Sequence, residues 1–167
     1  DERIPALLAS QERGSGHRWL GGQINDFGLH SATGTKALIV AYTCALCSEG
    51  GKHRGSAEVT EALRLAVEYL NRVQYEDGTV DFYATNFRSP PDVAFIVENL
   101  GPCYSVLKAS GDPKLAAIAD GIGRFIVTAA DGLVKSAKAA YSKARLDGFL
   151  VQEMVSGVEA IVGARSD

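Results

Sequence analysis

The chain has 167 residues, 46% of them hydrophobic and 22% charged, with a net charge of −3 at neutral pH. That length and balance suit a single globular domain with a substantial core, and without a basic excess a nucleic-acid partner is not expected. No apolar run reaches the ~18 residues needed to span a bilayer, so no membrane insertion is expected, and three cysteines without dense spacing exclude a disulfide framework.

Residues 2–13 read as a short helix with Ile4, Leu7 and Leu8 on its apolar side. The Asp1-Glu2-Arg3-Ile4-Pro5 start lacks the layout of a signal peptide; a leader removed earlier would leave the same start, so the compartment stays open. Residues 14–32 are punctuated by Gly14, Gly16, Gly21, Gly22 and Gly28 and read as irregular. A second helix is predicted from Thr33 to Ser48, stopping at Gly50-Gly51. Cys44 and Cys47 fall on one face of it and are expected to be buried small hydrophobes, not metal or redox ligands.

The third helix has the clearest signal. Ser56 can cap it, and Val59, Ala62, Leu63, Ala66, Val67, Leu70 and Val73 keep helical spacing without a miss. Glu68 and Arg72 are expected to pair on its wet face. After a long connection, Pro90-Pro91 open a fourth helix in which Val93, Ile96, Val97, Leu100, Cys103 and Leu107 keep the period and Pro102 should introduce a kink. Gly111 ends it. Asp112-Pro113 starts a fifth helix through Ala129, with an interruption expected at Asp131-Gly132. A sixth helix is predicted over Leu133 to Leu146 and a seventh over Phe149 to Val162. The whole reads as one all-α domain of antiparallel helical hairpins.

The connection from Gln74 to Asp92 stands out. Helix–helix connections ordinarily take about 2–8 residues, and this one is roughly twice that, rich in aromatic, acidic and amide side chains. Loops of that length inside a domain tend to carry function. Its Gln74-x-x-Asp77-Gly78-Thr79-x-Asp81 run, followed by Thr85-Asn86-Phe87 and Ser89-Pro90-Pro91-Asp92, resembles a loop of heparinase II/III-like proteins, (α/α) toroid proteins linked to polysaccharide lyases. The likeness extends over about Trp19 to Val134. It implies that the helical hairpins form part of an (α/α) toroid. Three departures stand beside it: Arg88 takes the place of a His, Lys135 to Ala140 takes the place of a His-Asn-His-like cluster, and the chain is short of the roughly 200 residues that twelve helices need.

The resemblance implies binding, with eliminative cleavage as the accompanying chemistry, of an acidic oligo- or polysaccharide. Such a lyase needs a group to neutralise the uronate carboxylate, a base and an acid. Asn86 and Arg88 are the candidate carboxylate holders and Tyr83 the candidate base or acid. Trp19, Phe87, Tyr75 and Phe82 are candidates to stack on sugar faces, with His30 and His17 at the same mouth and Asp81 and Asp92 as further binding candidates. No cofactor and no metal is expected. Structural roles compete at each position: Asp77 as a turn former, Asp92 as a helix cap, Arg88 in an ion pair with Asp81 or Asp92, and Asn86 satisfying loop backbone.

Two other classes compete. Incomplete hairpin stacks expose apolar ends, so a non-catalytic protein that assembles into a homo-oligomer or filament is the alternative. A terpenoid-cyclase-like or prenyl-binding barrel ranks last, because the acidic cluster of such sites is missing.

Overall fold

Each long helix starts where the sequence supplies a cap. Ser31 Oγ accepts the Gly34 N–H at 2.9 Å, Ser56 Oγ that of Val59 at 3.3 Å, and Ser89 Oγ that of Asp92 at 3.4 Å. In the computed structural model, which describes residues 1–14, 16–83 and 86–144 with side chains as far as Lys138, these caps open α2 (Ala32–Cys47), α3 (Ala57–Val73) and α4 (Pro90–Ala109). They are preceded by α1 (Ile4–Ala9), β1 (Gln23–Ile24) and β2 (His30–Ser31), and followed by α5 (Pro113–Ala144). The two strands pair antiparallel, Gln23 opposite Ser31 and Ile24 opposite His30. The fold is all-α.

The apolar stripe read from α3 is the centre of the core: Val59, Ala62, Leu63, Ala66, Val67 and Leu70 are all buried. α2 packs on α3 and α4 on α5, while α2 also packs on α4 and α3 on α5. Asn71 Nδ2 donates to the Gly121 carbonyl at 3.0 Å and Gln74 Nε2 to that of Phe125 at 3.1 Å. Residue numbers rise together across that seam, so α3 and α5 run parallel. Each is the second helix of its hairpin, and the second hairpin repeats the direction of the first.

Several expectations need correction. α1 is shorter than residues 2–13, because Gln11 turns inward after Ser10. Gln11 Nε2 donates to the Gly21 and Ala62 carbonyls at 3.0 and 2.9 Å, tying the irregular segment to α3. The predicted break at Asp131-Gly132 is absent, and α5 runs unbroken for 32 residues. Gly132 is there for a close approach: a Cβ on it would lie 2.0 Å from the Asp77 carbonyl oxygen, and one on Gly78 would lie 2.3 Å from that of Thr128. The glycine read as a helix breaker is the seat for the Asp77-Gly78 turn. The predicted sixth helix is therefore the end of α5 as far as Ala144; its last two positions and the Phe149 to Val162 helix lie outside the described residues.

Pro102 sits inside α4 without ending it. Cys44 is exposed rather than buried, since its face of α2 lines an open groove against α1; Cys47 is half-buried, and only Cys103 is buried. The expected Glu68–Arg72 pair does not form. Glu68 and Glu61 both pair with Arg64, which leaves Arg72 to bond the Leu20 carbonyl. Among the described residues, no helix is long and apolar enough to cross a membrane.

Candidate functional site

The described residues of the connection between α3 and α4 are bonded to one another and, through Gln74, to α5. Gln74 Nε2 bonds the Gly78 carbonyl at 3.2 Å as well as α5, and the Gly78 N–H donates to the Tyr75 carbonyl at 2.9 Å. Asp77 Oδ1 accepts from the Thr79 backbone and hydroxyl at 3.0 and 2.5 Å. Val80 is fully buried as an apolar plug. Beyond it, Phe82 and Asn86 exchange both backbone hydrogen bonds at 2.8 and 2.9 Å, and the Ser89 N–H returns to the Val80 carbonyl at 2.8 Å. Those backbone bonds leave the Tyr83, Asn86, Phe87 and Arg88 side chains exposed.

Next to this loop is a cavity of about 230 Å³ lined by Trp19, Tyr69, Arg72, Tyr75, Asp81 and Tyr83, with Ala32, Val73 and Gln74 completing it. Trp19 arrives from the glycine-punctuated segment. Gly21, at φ +90°, allows that turn to lie directly on α3, where a Cβ would be 2.0 Å from the Leu65 carbonyl oxygen. The Tyr75 hydroxyl donates to Asp81 Oδ2 at 2.8 Å, and the other carboxylate oxygen accepts the Arg88 N–H at 2.9 Å. Arg88 holds φ at 49°, unusual for a residue with a side chain. That twist brings its guanidinium over the Tyr75 ring, 4.3 Å from the centroid, and 3.1 Å from Asp77 Oδ2.

Two other arginines repeat the arrangement. Arg18 lies 4.2 Å over Trp19, and Arg72 lies 6.0 Å over Tyr69. Three cations are thus held against three aromatic residues of one cavity wall. Among the described residues, neither Arg18 nor Arg72 has a carboxylate within ion-pair distance.

Burial, followed by the Asp81 charge, pushes the Tyr83 phenol above its ordinary range. Tyr75 is raised chiefly by its hydrogen bond to Asp81. Asp77 is held below the usual carboxylate range by its Thr79 hydrogen bonds and then by Arg88. Both tyrosines therefore keep their protons at neutral pH.

Of the residues singled out from sequence, Trp19, Asp81 and Tyr83 line the same cavity, and Arg88 reaches it through Tyr75 and Asp81. His30 stacks behind Trp19, with ring centroids 5.7 Å apart and planes 19° apart. Phe87 is 69% exposed nearby in sequence. Asn86 and Asp92 are engaged elsewhere: Asn86 Nδ2 bonds Ser89 Oγ at 3.1 Å, and the Asp92 carboxylate accepts from the same hydroxyl. The cap of α4 is Ser89, whose hydroxyl accepts the Asp92 N–H and donates to the Asp92 carboxylate, while the Ser89 N–H goes to the Val80 carbonyl. The Arg88 guanidinium pairs with Asp77 and not with Asp81 or Asp92, while the Arg88 backbone N–H bonds Asp81.

Sequence reasoning missed Arg18, Arg72 and Tyr69. The available signal was the adjacency of arginine and aromatic in Arg18-Trp19 and their i, i+3 spacing in Tyr69 and Arg72.

A second group lies behind the Trp19 wall. Glu12, His17 and His30 each offer a potential ligand atom within 4.8 Å of the other two. Burial lowers the His30 pKa, with Glu12 opposing and His17 reinforcing the effect. A larger groove of about 780 Å³ runs between α1 and α2, but no aromatic side chain lines it. Comparison with family models, with curated proteins and with solved structures found no match to this chain.

Proposed function

We propose that this protein binds an acidic oligosaccharide, taking one uronate-type ring into the cavity between Trp19, Tyr75 and Tyr83. The observation that carries the reading is the placement of Arg18 and Arg88 over the Trp19 and Tyr75 rings, at 4.2 and 4.3 Å, with Arg72 6.0 Å from the Tyr69 ring at the edge of cation–π range. A sugar acid offers a flat C–H face and a carboxylate together, and this wall offers rings and guanidinium groups together. Asp81 and the protonated Tyr83 hydroxyl supply an acceptor and a donor for ring hydroxyls. At 230 Å³ the cavity is smaller than the roughly 300–1,000 Å³ of drug-sized sites, which suits one ring rather than a run of them.

The same electrostatics bear on cleavage. A tyrosine base must reach the phenolate, and Tyr83 is pushed away from it by burial and Asp81. Tyr83 is better suited to donate a proton than to remove one, so binding is the function put forward, with elimination as its extension.

The test is calorimetric titration with uronate oligomers against neutral oligomers of equal length. Uronate binding that weakens with ionic strength and falls at least about tenfold (~1.4 kcal/mol) in Trp19→Ala supports the reading. Absence of binding across a uronate panel overturns it. Ultraviolet-absorbing unsaturated products would extend it to eliminative cleavage.

Self-association is a second reading, favoured by the outer face of α4, where Phe95 and Val106 are 62% and 45% exposed three turns apart. Light scattering that gives a monomer mass at micromolar concentration removes it. An oligomer dispersed by Phe95→Asp supports it.

A further inference from the structure

We propose that Glu12, His17 and His30 form a divalent transition-metal site, zinc by preference, behind the tryptophan wall of the cavity. His17 Nδ1 and His30 Nε2 lie 3.8 and 3.9 Å from the same Glu12 oxygen, Oε2. Those separations are too long for hydrogen bonds. Tetrahedral zinc with bonds of about 2.0–2.2 Å sets its ligands roughly 3.3–3.5 Å apart; each histidine closes on Glu12 by about half an ångström, and since the three ligand atoms lie within 4.8 Å of one another, the two histidines close on each other by at most about 1.3 Å.

The state of His30 points to a ligand independently of these distances. Its Nε2 is buried and has no hydrogen-bond partner, although buried polar atoms are ordinarily paired. The His30 side chain is only 12% exposed. An imidazole nitrogen sealed from water and aimed at a carboxylate it does not bond is ready to donate its lone pair to a cation.

The surroundings hold the donors in place. Glu12 Oε1 accepts the Gly14 N–H at 2.8 Å, which leaves Oε2 to face the histidines. The Glu12 backbone is pinned on both sides, its N–H to Gly22 and its carbonyl to Gly21, at 2.9 and 2.7 Å. His30 is fixed by strand pairing with Ile24 and by stacking on Trp19. His17 Nδ1 accepts a long 3.2 Å bond from the Trp19 N–H, which a metal at that nitrogen would replace. Two imidazoles and one carboxylate, without thiolate, suit zinc and its first-row neighbours and leave one coordination position open. Such an ion would cross-link the glycine-punctuated segment and set the Trp19 ring.

The experiment is titration of the chelator-treated full chain with Zn²⁺ alone, by calorimetry and by the fluorescence of Trp19, the chain's single tryptophan. The expected result is one ion per chain, a dissociation constant in the micromolar range or tighter, and a fluorescence change that saturates at the same ratio. His30→Gln and Glu12→Gln should each weaken binding by about 100-fold or more. His17→Gln, on a side chain 46% exposed and least able to disturb folding, should weaken it strongly as well. Cys44→Ser should titrate like the parent, and the Co²⁺ form should show no sulfur charge-transfer band. No binding by the parent, parent-like binding by His17→Gln, or loss of binding in Cys44→Ser overturns the proposal. Because the readout is the metal itself, failure here leaves the sugar-binding reading standing, and failure of sugar binding leaves this site standing.

Discussion

Replacing Gly132 with alanine tests whether the Asp77-Gly78 turn is seated on α5. In a helix interior, glycine to alanine ordinarily stabilises by about 1 kcal/mol. At Gly132 the new methyl would stand 2.0 Å from the Asp77 carbonyl oxygen and 3.3 Å from Gly78 Cα. Both neighbours are backbone, so the turn must lift by about 1 Å or more, and overpacking of that kind costs about 1–3 kcal/mol. Lifting the turn also strains the hydrogen bond from Gln74 to the Gly78 carbonyl and loosens the close packing of Gly78 on Thr128. The helix-propensity gain is outweighed, and a net loss of about 1 kcal/mol is expected, a fall in Tm of roughly 2–4 °C for a chain of this size. Thermal and urea unfolding of the purified variant measure it, with exposed Asp131→Ala as a control that should change stability by less than about 0.5 kcal/mol. A Gly132→Ala midpoint equal to or above the parent's would show that the turn does not rest on α5, and the picture of a pinned loop would fail.

Gln11→Ala removes the donor to two carbonyls in a buried site and should cost about 2–4 kcal/mol, read from the urea midpoint. The depressed Asp77 pKa makes a signed prediction. A carboxylate lowered on folding adds stability that is complete above its unfolded value of about 4 and is lost as pH falls through the folded value. Between about pH 5 and about pH 3 the parent should therefore lose more stability than Asp77→Asn does; equal losses would refute the role given to the Thr79 and Arg88 contacts.

What the sequence disclosed follows from the range of the interactions. The stripe on α3 and the serine caps are local, so period and spacing reveal them. The course of α5 through Gly132 depends on a turn far away in sequence, and nothing near Gly132 distinguishes a helix breaker from a contact glycine. In the site, Trp19, Asp81 and Tyr83 stood out because aromatic and acidic residues in irregular segments seldom lack a role. Asn86 and Asp92 drew attention through the Thr85-Asn86-Phe87 and Ser89-Pro90-Pro91-Asp92 runs, yet the position of Asp92 just ahead of a helical stripe already pointed to the helix start. Arg72 read as one charge on a solvated helix face: the i, i+4 spacing offered Glu68 to Arg64 as well as to Arg72, and the contact that places Arg72, the Leu20 carbonyl, is tertiary. The pairing of His17 and His30 across Glu12 likewise depends on the β1–β2 ladder, which two-residue strands do not announce by alternation.

The central claim is that one cavity, lined by aromatic residues and Arg72 with Arg18 and Arg88 against its rings, receives a sugar acid. Two-dimensional NMR of the labelled chain, titrated with a uronate oligomer, tests it most directly. The account predicts saturable shifts concentrated on the Trp19 indole, Tyr75, Asp81, Tyr83 and the Arg18 and Arg72 side chains, with little change along the groove between α1 and α2. Shifts centred on that groove, or none at millimolar ligand, would contradict it.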